Sequence, residues 1–136
     1  MNILNIAFTE IKAKKENPAK GQINISNNVK IVDLKESKIN IDDARKTLEV
    51  HFDYSTEYKP DLGTVELKGK MIVIDTKEEI DSLVDSWKEN KKIPKEKAPA
   101  YLNPIMNKSV MQTILLSREI ELPSPIPMPS VKQQEN

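Results

Sequence analysis

The chain has 136 residues, and its 21 basic side chains match its 21 acidic ones, so the formal net charge is zero. That balance removes the positive field of a general nucleic-acid binder. Absence of cysteine removes disulfides, thiol nucleophiles and thiolate metal sites, and fits a cytosolic protein. Arg45 and Arg118 are the only arginines, so most cationic groups are lysines rather than bidentate guanidinium forks. The length suits one domain spanning residues 1–136, burying roughly two-thirds of its unfolded surface. No window approaches the roughly 18 uncharged apolar residues of a membrane span. The opening MNILNIAFTEIKAKK has no basic leader before its apolar run, so no signal peptide is expected.

The first half reads as strands. In a first strand over about 2–16, Leu4, Ile6 and Phe8 share a parity, and Ile11 and Ala13 lie on the other. Such a switch predicts a bulge, or coverage on both faces. Asn17-Pro18-Ala19-Lys20-Gly21 is a turn by composition. A second strand over about 22–34 places Ile23, Ile25, Val29 and Ile31 on one face, with Asn27-Asn28 marking a possible distortion. The third, about 45–58, alternates most strictly: Leu48, Val50, Phe52 and Tyr54 against Thr47, Glu49, His51 and Asp53. After the reversal YKPDLG, a fourth strand over about 64–75 carries Val65, Leu67, Met71 and Val73, with Ile72 and Ile74 covered on the second face. Short, turn-rich connections favour an antiparallel meander.

Helices follow. Thr76 and Glu79 have capping-box spacing, and Ile80, Leu83, Val84 and Trp87 fall at helical intervals over about 77–90. The lysine-rich stretch from Lys88 to Lys97 reads as a solvated loop. A second helix is placed over about 103–120, with Asn103 as N-cap and Pro104 at its first position; a start near Ala98 would instead put Pro104 inside it. On its wheel Ile105, Leu116 and Ile120 group beside Met106, Val110 and Ile114. Met111 and Leu115 fall on a separate sector, divided from the first by Asn107 and Arg118. One sheet cannot cover both sectors, so the second requires another helix, the tail or another subunit. The apolar helix then runs into LPSPIPMPSV, whose prolines enforce an extended arm over about 122–131. Lys132 to Asn136 are polar and expected to fray.

Little chemistry is written in these residues. His51, the only histidine, lies on the polar parity of a strand, where an ordinary surface role suffices. No GxSxG, GxxxxGK[ST] or GxGxxG motif occurs. Glu78, Glu79 and Asp81 sit where a helix start favours acidic groups, and Asp42-Asp43 where a turn favours Asp. Trp87 shares the stripe of Ile80 and Leu83, which points to core or interface. Thus no catalytic residue, metal ligand or cofactor is expected, and the chain is not read as an enzyme.

The order of elements resembles the SecB export chaperone family, an α+β fold. In it a four-stranded antiparallel sheet is followed by two helices on one face and an extended C-terminal arm. The detailed likeness lies in residues 98–131, carried by Tyr101, Asn103-Pro104-Ile105 and the run from Leu122-Pro123 through Pro129-Ser130-Val131. The strands match only as pattern. Two features depart from the family: the capped helix from Lys77 to about Asn90 stands where the family has a variable crossover loop, and the neutral charge contrasts with the acidic export-pathway members. The chain looks more like the divergent members, including those beside toxin–antitoxin systems, and a motor partner is not implied. The resemblance implies a holdase that binds unfolded or partly folded polypeptide without ATP, with neither nucleic acid nor membrane insertion. It also implies a homo-oligomer, a dimer or tetramer. Trp87, Tyr101, Leu102, Met106 and Ile126 are the candidate polypeptide-binding residues, and Met111 with Leu115 the candidate oligomer contact. A dedicated partner-binding module of the same fold is the alternative.

Overall fold

The computed structural model describes residues 1–18, 20–37, 42–127, 129 and 131. The expected fraying of Lys132 to Asn136 therefore lies outside the described residues, as do Met128 and Ser130 of the arm. Four strands, β1 (Asn2–Lys15), β2 (Asn24–Glu36), β3 (Arg45–Lys59) and β4 (Gly63–Thr76), precede two helices, α1 (Lys77–Asn90) and α2 (Ala98–Glu119). All pairings are antiparallel. The α+β class is as expected, but the sheet is not a simple meander. Its order is β1-β4-β3-β2, so β1 lies beside β4 at the far edge. Alternation identifies the faces of a strand but not its neighbours. The link over residues 16–23 can span the three inter-strand steps, about 14 Å, instead of closing a hairpin. Leu62 at the β3–β4 turn receives that link, its carbonyl accepting from Glu16 N at 2.7 Å.

Strand alternation sets the core. From β3, Leu48, Val50, Phe52, Tyr54 and Tyr58 are all buried, and from β4 Val65, Leu67, Met71 and Val73 join them. Directly opposed residues share a face in an antiparallel pair, and Phe52 opposes Gly69 while Tyr54 opposes Leu67. The parity switch in β1 is realised as register shifts at Ile3/Asn5 and Phe8/Glu10. In β2 the irregularity lies between Ile31 and Asp33, not at Asn27-Asn28. It lets Leu34 regain the inner face while Val32 remains exposed.

Both helices pack on this inner face. Ile80, Leu83 and Trp87 of α1, with Tyr101 and Ile105 of α2, close a core over Leu48, Val50, Phe52, Met71 and Val73. Further along, Leu122, Tyr54, Tyr58, Leu62, Val65 and Leu67 form a second core against which Met106 and Val110 pack. Thr76 caps α1 by accepting from Glu79 N at 3.3 Å. The reciprocal half of the box is absent: Thr76 N donates to Asp75 Oδ1 at 2.8 Å, and Glu79 instead pairs with Lys97 at 2.8 Å.

Helix α2 begins at Ala98 rather than Asn103, with Pro104 inside it. Pro104 is the seventh residue of this helix, past the first four whose N–H groups have no intrahelical acceptor, so it removes one ladder bond, to Ala100 O, whereas Pro99 in the first turn removes none. The stripe pressed on the sheet also differs from the apolar grouping on the wheel. It is Tyr101, Ile105, Ser109, Thr113 and Ser117, an i, i+4 series in which the last three are at most 1% exposed. Small side chains bring the helix backbone close to the strands, and larger neighbours such as Leu116 and Ile120 flank the contact.

Candidate functional site

Trp87 ends the inward stripe of α1, and Lys91 then stops the helix in a left-handed conformation, φ 54°, with its N–H on Trp87 O at 2.8 Å. The chain turns back through Ile93 and Pro94. Pro94 O accepts from Lys97 N and Ala98 N, each at 3.0 Å, which starts α2. Ser86 Oγ donates to Lys92 O at 3.2 Å and holds this loop against α1. The Lys97–Glu79 pair fixes the beginning of α2 to the first turn of α1.

This local architecture leaves a hollow of about 230 Å³ between the loop, the start of α2 and the edge strand β2. Its apolar lining comes from Val29 and Ile31 of β2, Trp87 of α1, Ile93 of the loop, and Ala98 and Leu102 of α2. Lys30, Lys91 and Lys92 complete it. An adjoining hollow of about 320 Å³ shares Lys92 and Ile93 and adds Ser86, Asn90, Pro94 and Lys95. The indole Nε1 of Trp87 is buried and has no hydrogen-bond partner among the described residues.

Of the five residues expected at a binding surface, the structure brings Trp87 and Leu102 together in this hollow. Tyr101 adjoins Leu102 in sequence but is buried in the first core. Desolvation raises its phenol pKa to about 12, assisted by the carboxylates of Asp75 and Glu79. Met106 is half-buried against the second core, and neither it nor Tyr101 lines the hollow. Ile126 stands on the arm, 38% exposed. Val29, Ile31 and Ile93 are the large apolar lining residues that the candidate set lacked. Their apolar character was legible, but the edge position of β2 and the path of the loop were not.

The arm is seated by two contacts. Leu122 packs at Gly63, so close that a Cβ there would meet its methyl carbons at 3.2 and 3.3 Å. Pro125 is buried, and its carbonyl accepts from Asn27 Nδ2 at 2.8 Å. Asn27 Oδ1 in turn accepts from Thr56 Oγ1 at 2.7 Å and Tyr54 OH at 3.1 Å. Beyond Pro125 the described residues are exposed, Val131 completely.

On α2, Met111 is 67% and Leu115 56% exposed. At 100° per residue they share a sector with Lys108, whose Nζ donates to Ile6 O of β1 and lies 5.7 Å from the centre of the Phe8 ring. Edge strand β1 itself exposes Ile3, Leu4 and Ile11.

The opposite face of the sheet carries a charged cluster beside Ile72. Glu49 Oε2 lies 3.3 Å from His51 Nε2 and its Oε1 3.5 Å from Lys70 Nζ. Burial pushes the Glu49 carboxyl up, but His51 and Lys70 beside it outweigh this and hold it below its ordinary value. Among the described residues no three His, Asp or Glu side chains are grouped to hold a metal ion. No helix among them is long and apolar enough to cross a membrane.

The architecture is the SecB-like fold: a four-stranded antiparallel sheet with two following helices across one face. Among solved structures, the chain is similar to the SecB-like chaperone Rv1957 of Mycobacterium tuberculosis, solved in complex with a ChAD peptide from the Rv1956 HigA1 antitoxin. The TM-score is 0.56 at 11% identity, covering 95% of this chain and 89% of that one. No family model matches the chain, and no curated protein matches it.

Proposed function

We propose that this protein is a SecB-like holdase that binds non-native polypeptide without ATP, in the hollow between β2 and the α1–α2 loop. The observation carrying this reading is the convergence of Trp87, Leu102, Ile93, Val29 and Ile31 at the edge strand β2, which pairs with β3 alone among the described strands. An open apolar floor accepts varied side chains, while an edge strand offers backbone groups to an extended guest. The Mycobacterium tuberculosis neighbour holds a peptide, which supports a polypeptide partner here. In this reading Met106 and Ile126 engage longer guests, and Tyr101, buried in the first core, anchors the start of α2 that carries Leu102.

The proposed assembly is a homo-oligomer in which the sector of Met111 and Leu115 is covered by another copy. The proposal treats the chain as one domain acting in the cytoplasm as a binding protein rather than an enzyme. Aggregation of two unrelated denatured proteins, followed without nucleotide, tests the holdase reading. Sub-stoichiometric or equimolar protein should suppress both, and Leu102→Glu should lose that effect while Leu102→Ala retains part of it. Unchanged aggregation with wild type removes general chaperone activity.

A second reading is a dedicated module for one partner. The small volume of the hollow and the antitoxin peptide held by the neighbour favour it. Tight binding of one peptide with no suppression of general aggregation distinguishes it.

A further inference from the structure

We infer that the groove selects guests whose apolar segment is flanked by acidic residues. The inference rests on the polypeptide-binding reading and names the chemical class of its ligand. The loop from Lys88 to Lys97, which reads in sequence as a merely solvated connection, delivers lysines to the rim of the apolar floor. Lys91 and Lys92 line the hollow beside Trp87, and Lys95 lines the adjoining one. Lys30 of β2 borders the same hollow from the strand edge, although it also lines the one that holds Asp53, its partner in the ladder. All four are exposed, and none makes an ion pair with a described residue.

Neither hollow has an Asp or Glu in its lining. Two further hollows mix the signs: Asp53 and Glu66 stand with Lys30 and Lys68 in one on the opposite sheet face, and Glu16, Glu57 and Asp61 with Lys59 in another at the β3–β4 turn. In a chain of zero net charge, this is a local separation of charge rather than a general basic character. A positive rim around an apolar floor attracts a guest of opposite sign and rejects a like-charged one. The apolar floor supplies contact area, and the lysines supply preference.

The test uses the full chain and two labelled peptides with one apolar core, flanked by Glu in one and by Lys in the other. Fluorescence anisotropy gives affinity, and emission from Trp87, the only tryptophan, reports occupancy at the groove. Tighter binding of the Glu-flanked peptide by about threefold to tenfold is expected in low salt. The difference should shrink near 1 M salt, where the screening length falls to about 3 Å. Lys91→Asn with Lys92→Gln should remove the preference, Asn being tolerated in the left-handed conformation at position 91. Equal affinities accompanied by a Trp87 response would overturn acidic selection and leave the groove reading standing. Binding of neither peptide would overturn both.

Discussion

Asn27 and Pro125 are 98 positions apart, yet the amide of one donates to the carbonyl of the other at 2.8 Å. The same Asn27 side chain accepts from Tyr54 and Thr56, so one polar residue on the inner face of β2 fastens the arm to the sheet. Replacing Asn27 with Ala leaves three groups without this partner and should destabilise the fold by about 1–3 kcal/mol. Hydrogen exchange should then accelerate in the segment around Leu122 and Pro125 more than in β4. Unchanged protection there would show that packing alone seats the arm.

Gly69 makes room for an aromatic pair. Phe8 and Phe52 meet edge to face with centroids 6.2 Å apart, and both lie opposite Gly69 in the ladders. A Cβ at this position would collide with Ala7 O and meet Phe52 Cζ at 2.7 Å. Gly69→Ala should therefore cost about 1–3 kcal/mol through overpacking. Urea denaturation measures it, and a neutral result would mean that β1 moves away without penalty.

Two phenols predict alkaline sensitivity. Desolvation pushes Tyr58 up to about 12, against a smaller opposing effect of Ser117, and Tyr101 is raised to about 12 as well. An unfolded phenol loses its proton near pH 10, while the folded one retains it. Between about pH 10 and 12 the folded state binds more protons, so stability falls as pH rises. Each buried phenol steepens this fall by up to about 1.4 kcal/mol per pH unit. Denaturation midpoints across that window should show a shallower decline for Tyr101→Phe, and an identical slope would contradict the assignment.

Met111 and Leu115 are exposed enough within one chain that they contribute little to its core. Met111→Glu with Leu115→Glu should leave the unfolding midpoint nearly unchanged while lowering the mass measured by light scattering. A wild-type protein that is already monomeric at micromolar concentration would remove this sector as a subunit contact.

Local patterns in the chain reach the elements more readily than their arrangement. The alternation of β3 and the 3.6-residue spacing of Ile80, Leu83 and Trp87 each report a face against a core, and those faces are observed. The position of β1 beside β4 is a long-range fact, decided by where residues 16–23 run. The buried stripe of Ser109, Thr113 and Ser117 escaped the wheel because close approach of a helix to a sheet selects small side chains, not apolar ones. Asn27, read in the sequence only as part of a possible distortion, instead keeps the register of β2 and holds Tyr54, Thr56 and Pro125, partners that local pattern does not reveal. At the groove, Trp87 and Leu102 stood out as large apolar groups near a helix boundary. The lysines of the loop did not, since charge on a loop is ordinarily only solvation.

Hydrogen-exchange mass spectrometry of the protein with and without a permanently unfolded client tests the polypeptide-binding groove most directly. Slowed exchange at residues 29–31 and 91–102 on adding the client is the predicted result. A stable client complex that leaves both segments unchanged, with protection elsewhere, would contradict it.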